Sequence, residues 1–367
     1  MSHYSLYLPN YSIGTDCYSE IPHVARNYGR TAVVVGGKTA MSKAKPALLK
    51  AVEGSDLTIT DFIWYGGDSS YENGDALIAN DTVRSADILF GVGGGRACDT
   101  AKYVADKLDK PLFTFPTLAS NCAAVTAICV MYNADGTFRD YYYPKLAEHT
   151  FINSDIIADS PEKLLWAGIG DALSKECEAV FSSRDDVLSH TPLMGVQLSR
   201  ICTTPLIENG AAAMELIRQS RSGRALDEVT LDIIISTGLV SNMTTHEPEY
   251  YYNSSLAHCV YYGSTVTQNG HKHLHGEVVS LGVLCLLTFD KNYAERDRIM
   301  KFNYSLGLPV CFDDVEISED EFDKMLDKAV TTTEWSHLPK GVTREGYKAA
   351  MKEQNEAGRT FKASKKA

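Results

Sequence analysis

Apolar positions follow two rhythms along this chain, and the change between them falls at about Ser160-Pro161. Before it, short β-branched runs alternate with stretches spaced as amphipathic helices. Arg30 to Gly37, RTAVVVGG, reads as a buried parallel strand closed by glycines, and helical spacing follows over Thr39 to Val52. Leu57 to Tyr65 reads as a second strand, Asn73 to Ala86 as a second helix and Asp87 to Val92 as a third strand. Ala97 to Leu108 then reads as a helix and Pro111 to Phe115 as a fourth strand. This alternation predicts a doubly wound α/β domain. Tyr4 to Ile13 reads as extended structure broken by Pro9 and ended by Gly14. Ile128 to Asn133 and Thr137 to Tyr142, either side of Ala134-Asp135-Gly136, read as a hairpin. Beyond Pro161 the pattern is helical. The expected organisation is an α/β domain over residues 1–160 and an all-α domain over 161–367.

Composition narrows the function classes. A chain of 367 residues is too long for one compact core. Lys+Arg number 35 against 47 Asp+Glu, a net charge of −12, with no basic stripe except KASKKA at the end. Nucleic acid is therefore not an expected partner. Nine scattered cysteines, never spaced Cys-x-x-Cys, suggest reduced thiols in a cytoplasmic protein. The opening MSHYSLYLPNY does not read as a signal peptide, and the apolar run Val278 to Leu287 is too short to span a membrane.

Two stretches carry candidate chemistry in the first domain. The third strand runs into GVGGGRACDTAK, Gly91 to Lys102. Consecutive glycines let the backbone approach a ligand, and amides at the following helix start favour an anion such as a pyrophosphate. The same glycines are equally compatible with a tight strand-to-helix turn, although the carboxyl end of an α/β strand is where such folds bind ligands. After the fourth strand, PTLASNCAAVTA is small and hydroxylic, suited either to lining a ligand crevice or to a packed loop.

The second domain holds a histidine cluster. His258, His271, His273 and His275, four of the ten histidines, lie between Leu256 and Leu287. The run after His275 is apolar enough to be a helix buried on all sides. Upstream, AGIGDALSKECEAV places Asp171 after Gly170, where it reads as a helix N-cap. His258 taken singly reads equally as a satisfied core residue, and the alternating His271, His273 and His275 would share one face of an extended segment. Together, one carboxylate and two imidazoles make a three-ligand set that leaves positions open, as catalytic metal sites do. Glu277 is then a candidate to orient a ligand.

These motifs, with PTLASNCAAVTAICVMYNADG, LAHCVYYG and HLHGEVVSLG, resemble those of the iron-containing alcohol dehydrogenase family and more closely its glycerol dehydrogenase branch, in the family's order and nearly over the whole chain. The resemblance implies a dehydroquinate synthase-like fold: a nucleotide-binding α/β domain, a helical domain, and a nicotinamide dinucleotide and one divalent metal held between them. It implies Asp171, His258 and His275 as metal ligands, with zinc favoured over iron. It sets the pyrophosphate on Gly94, Gly95 and Arg96, with Asp99 and Lys102 on the helix behind. Thr117, Ser120, Thr126, Ile128 and Tyr132 match positions lining the cofactor. His271 is read as the proton relay between substrate oxygen and solvent, with His273 second. The metal would act as a Lewis acid on that oxygen. A homo-oligomer acting on a small-molecule substrate is expected.

Three departures bear on specificity. Cys122 stands where glycerol dehydrogenases of the family carry an aspartate, so a polyol loses an acceptor and an anionic substrate loses a repulsion. A Cys-Ala-Ala stretch here is similar to the hydroxycarboxylate dehydrogenases of the family, which leans the reading to 2-hydroxy and 2-oxo acids, with glycerol as the alternative. Gly36-Gly37-Lys38 has no acidic residue to hold ribose hydroxyls, so NADP(H) is admitted beside NAD(H). Arg96 replaces the usual lysine and keeps its charge. Two rivals share the fold or its remnants. Dehydroquinate synthase and glycerol-1-phosphate dehydrogenase need a cationic phosphate pocket, for which only Lys272 lies near the histidines. A non-catalytic dinucleotide-binding protein with a decayed site is the other.

Overall fold

A computed structural model describes residue 6 and residues 8–366. Tyr4, Ser5 and Tyr7 of the expected opening segment lie outside the described residues. The chain forms two compact units: residues 1–165 with 212–242, and residues 166–211 with 243–367.

The first unit is built on a parallel sheet. Its strands are β1 (Tyr11–Gly14), β2 (Thr31–Gly36), β3 (Thr58–Trp64), β4 (Ile88–Gly93), β5 (Leu112–Pro116) and β8 (His149–Asn153), in the order β1-β8-β5-β4-β2-β3. Every adjacent pair is parallel. The continuous apolar runs in β2 and β4 follow from burial on both faces of such a sheet. Helices α1 (Lys38–Val52), α2 (Tyr71–Ile78) and α3 (Gly95–Lys107) connect the strands. The expected helix over Asn73 to Ala86 is in fact two, because Asn80 accepts from the amides of Thr82 and Val83 and caps a second short helix. The expected hairpin is present as β6 (Cys129–Tyr132) against β7 (Phe138–Tyr142). Strand β8 was not foreseen. Its Thr150 is polar in a fully buried place, where its hydroxyl lies 2.8 Å from that of Thr114, so no apolar run announces it.

Strand order reverses between β2 and β4, which opens a crevice at their carboxyl ends. The two glycine turns meet there, Gly37 N–H donating to Val92 O at 3.2 Å.

The first unit also takes back residues 212–242, which helical spacing alone had assigned to the second domain. Periodicity marks a helix but not the core it faces. After α6 (Arg224–Leu231) comes a π turn over Asp232–Ser236, packed against the turn at Ala123–Val125. Farther along, Asn242 brackets that loop, its Oδ1 accepting from Ala127 N and its Nδ2 donating to Val125 O.

Asp232 is 1% exposed, and among the described residues neither of its carboxylate oxygens has a hydrogen-bond partner. Burial pushes its carboxyl up to about 8, with only the nearby Ser236 hydroxyl opposing. The folded state thus holds a proton that the unfolded chain has lost by about pH 4. Stability is full below that pH and falls as pH rises toward 8. Asp232→Asn should therefore raise the melting temperature more at pH 8 than at pH 5, by several degrees for an effect of about 2 kcal/mol. An equal shift at both pH values would refute the buried neutral acid.

The second unit is helical apart from a two-stranded antiparallel ribbon, β9 (Thr245–His246) and β10 (Tyr250–Tyr251), absent from the sequence reading. It contains the end of α4 (Glu162–Ala172), then α5 (Ser174–Ser182), α7 (Leu256–Ser264), α8 (His275–Phe289), α9 (Phe322–Ala329) and α10 (Arg344–Lys366). Helix α8 is buried continuously from Gly276 to Thr288, as its apolar run predicts, and packs against α5, α7 and α10. Among the described residues no helix is long and apolar enough to cross a membrane.

Candidate metal centre and dinucleotide turn

Glycines bring the metal-binding candidates together by letting backbones touch. A Cβ on Gly276 would sit 1.9 Å from Ala167 O, and one on Gly170 would sit 2.4 Å from Gly276 O. The start of α8 therefore lies directly on the end of α4, and Asp171 and His275, the residues following and preceding these glycines, become neighbours. In the same way a Cβ on Gly282 would fall 2.3 Å from Ala257 O, so α7 crosses α8 closely and delivers His258.

His275 Nε2 lies 3.1 Å from Asp171 Oδ1, and His258 Nε2 lies 3.7 Å from the same oxygen. One donor atom from each of the three residues lies within 4.8 Å of the others, the one such group among the described residues. Donors bound at about 2.0–2.1 Å in a tetrahedral shell stand roughly 3.3 Å apart. The spacing fits a divalent ion. Asp171 Oδ1 is moreover buried with no hydrogen-bond partner among the described residues, an orphan that a cation would satisfy. Burial pushes the Asp171 carboxyl up, but His275 and His258 outweigh it and hold it below the ordinary range.

Asp171 is not the N-cap expected from Gly170. It lies within the last turn of α4, where its side chain is free to serve as a ligand. The orienting carboxylate also differs from the expected one. Glu277 pairs with His273 Nδ1 at 2.9 Å and accepts from Leu274 N at 3.0 Å, which caps α8. Glu178 instead holds the site: its Oε2 lies 2.6 Å from His258 Nδ1, and its Oε1 accepts from Ser255 N at 2.7 Å and His258 N at 3.0 Å. This leaves His258 Nε2 directed at Asp171. Burial raises the Glu178 carboxyl, yet His258 and the two amides bring it below the ordinary value. Burial lowers the His258 imidazole, and Glu178 and Asp171 more than reverse that. Glu178 follows Asp171 by two helical turns, so the face they share was a signal available in the sequence.

His271 and His273 do not alternate along a strand with His275. His271 sits on a 3-10 turn, Gly270–Lys272, exposed and without a side-chain hydrogen bond among the described residues, while the His273 side chain is largely buried beside Glu277.

In the first unit, Gly93 has φ +150° and would place a Cβ 2.8 Å from that of Ala97, so this turn requires glycine. Gly94 is the N-cap of α3 and supplies no side-chain acceptor, which leaves the helix amides open for an anion. Arg96 lies beside this opening, 3.4 Å from Asp68 Oδ1 and with its guanidinium over the Tyr132 ring. Thr117 N–H donates to Gly93 O, and Leu118 and Asn121 of the loop after β5 lie against Gly94 and Gly95, with Asn121 Nδ2 donating to Ser120 Oγ at 3.3 Å. Cys122 is partly exposed ahead of the Ala123–Val125 turn.

Asp99 and Lys102 lie beneath, fully buried and spent on each other and on the loop. Lys102 Nζ is 2.9 Å from Asp99 Oδ1 and donates to Thr126 O and Ile128 O at 3.0 and 2.6 Å, while Asp99 Oδ2 accepts from Val130 N. Burial works against the Lys102 ammonium, and Asp99 outweighs it. Both side chains, with the Thr126 and Ile128 carbonyls, fasten the cofactor-loop candidates to α3.

The sequence pattern of the iron-containing alcohol dehydrogenase family matches residues 9–152. A glycerol dehydrogenase of Thermotoga maritima is 31% identical over 308 residues, covering 81% of this chain and 82% of the relative. Hydroxycarboxylate dehydrogenase A of Escherichia coli is 28% identical over 331 residues, covering 88% of each. Among solved structures, glycerol dehydrogenase from Schizosaccharomyces pombe shares the fold with a TM-score of 0.85 at 21% identity, over 99% of this chain and 93% of that one. The chain belongs to the iron-containing alcohol dehydrogenase family, in its glycerol dehydrogenase branch, and is a metal-dependent oxidoreductase.

Proposed function

We propose that this chain transfers hydride between a nicotinamide dinucleotide and a small hydroxy or carbonyl compound, with Asp171, His258 and His275 holding one divalent metal, zinc before iron. The observation that carries the reading is the convergence of His275 Nε2 and His258 Nε2 on one buried Asp171 oxygen that has no hydrogen-bond partner among the described residues. When bound, the ion supplies a Lewis acid that polarises the substrate oxygen. The chain's own residues position and neutralise. Glu178 fixes the His258 ring, and the open amides of α3 receive the pyrophosphate on Gly94, Gly95 and Arg96. Lys38 begins α1 at the crevice with its ammonium 4.3 Å from the Trp64 ring centroid and no acidic neighbour in that turn, which supports admission of NADP(H). His271 is exposed and unbonded, so solvent can exchange protons with it directly, in keeping with the relay role.

The relatives' names favour glycerol as substrate. A second reading, 2-hydroxy and 2-oxo acids, is favoured by Cys122, a thiol in place of an acceptor. The test sets the rate of NAD(P)H oxidation with pyruvate beside NAD⁺ reduction with glycerol, in wild type and in Cys122→Asp. Under the second reading Cys122→Asp shifts the ratio toward glycerol by about tenfold, the effect of one charge-assisted hydrogen bond. An unchanged ratio removes Cys122 from substrate choice, and no rate in either direction refutes the proposed reaction.

A further inference from the structure

Two lysines are buried among the described residues, Lys102 at 1% and Lys175 at 7% exposure, and they are treated differently. Lys102 has its carboxylate, Asp99, at 2.9 Å. Lys175 has none within ion-pairing distance among the described residues. Its Nζ donates to Asn253 O at 3.0 Å and to Asn253 Oδ1 at 2.7 Å. An ammonium has three donors, so one is left over. A buried ammonium without a counter-ion is unfavourable, and a divalent cation nearby makes it more so.

Its position says where the missing anion belongs. Asp171, Lys175, Glu178 and Ser182 follow one another at helical spacing on one face, turned toward the segment that leads into α7. Lys175 meets Asn253, Glu178 meets Ser255 and His258, and Ser182 Oγ donates to Tyr252 O. Lys175 therefore stands between a metal-ligand candidate and the residue that orients another. Its charge is felt at both Asp171 and His258. With neutral imidazoles, a divalent ion, the Asp171 and Glu178 carboxylates and the Lys175 ammonium sum to one positive charge. A monoanion balances it; glycerol does not.

We propose that Lys175 is a substrate-recognition residue whose free N–H receives the carboxylate of a 2-hydroxy or 2-oxo acid, with the adjacent substrate oxygen at the Asp171–His258–His275 cluster. This rests on the second reading above. The reaction balances as 2-oxo acid plus NAD(P)H plus a proton giving 2-hydroxy acid plus NAD(P)⁺.

The test compares zinc-loaded wild type with Lys175→Met and Lys175→Gln, the latter keeping a donor for Asn253. Initial rates are measured with pyruvate and with dihydroxyacetone, and oxamate, an unreactive pyruvate isostere, is titrated calorimetrically. The ratio of kcat/KM for pyruvate to that for dihydroxyacetone should fall by about 30-fold in both variants, through KM, and oxamate should bind correspondingly more weakly. A ratio within about threefold of wild type, or undiminished oxamate binding, would overturn the assignment. Should Lys175→Met fail to fold, Lys175→Gln decides. Wild type that reduces dihydroxyacetone but neither reduces pyruvate nor binds oxamate sinks the role of Lys175 and leaves the dehydrogenase standing. Wild type that turns over neither carbonyl sinks the dehydrogenase, and the oxamate titration alone then judges Lys175.

Discussion

Asp171→Asn should yield a folded chain that loses most of its metal on gel filtration and turns over at least about 10³-fold more slowly. The magnitude follows from removing a Lewis acid that supplies several kcal/mol to the transition state, each 1.36 kcal/mol being about tenfold in rate. An amide keeps the shape of the side chain and accepts at its oxygen, but it lacks the charge that a dication requires at Oδ1, buried and otherwise unpartnered. Fold should survive. The neighbouring contact is between the backbones of Ala167, Gly170, Asp171 and Gly276, which a side-chain change leaves in place. Elemental analysis with initial rates checks the prediction, and full metal content with full activity would remove Asp171 from the ligand set.

Glu178→Ala should weaken metal binding by about 10–100-fold and lower stability by roughly 3 kcal/mol. The carboxylate is fully buried and serves three groups at once: the His258 ring and the amides of Ser255 and His258. Its loss leaves all three without a partner where no water replaces it, and the ring is freed to turn. Glu178→Gln is the sharper control, since its single carbonyl oxygen can accept from both amides, as Oε1 does, but then leaves the His258 ring without an acceptor; it should recover part of the stability and less of the affinity. Competition titration against a zinc chelator, beside thermal melts, separates the two effects. An Ala variant with unchanged zinc affinity would make Glu178 purely structural.

How much of this was legible before folding depends on the kind of signal. The strands of the first unit declared themselves because a parallel sheet buries both faces and writes continuous apolar runs, as in Val33–Val35 and Ile88–Phe90. β8 did not, since Thr150 satisfies its hydroxyl on Thr114. Residues 212–242 have a helical pattern yet belong to the first unit, because a helical period does not name the core that the helix faces. At the candidate metal site the three residues that the family resemblance supplied do come together. What spacing could not show was the means: glycine contacts between residues far apart in sequence, Gly276 on Ala167 and Gly282 on Ala257. Glu277 does not orient a ligand candidate, for a local reason. It lies three residues into α8 and is claimed by the helix start, whereas Glu178 points from the facing helix.

The most direct test of the metal centre is a titration of chelator-stripped protein with zinc, read by the return of activity and by heat. Wild type should reach an end point at one ion per chain, and Asp171→Asn and His258→Ala should show no such end point. Full activity in the stripped protein, or an unchanged end point in both variants, would contradict this.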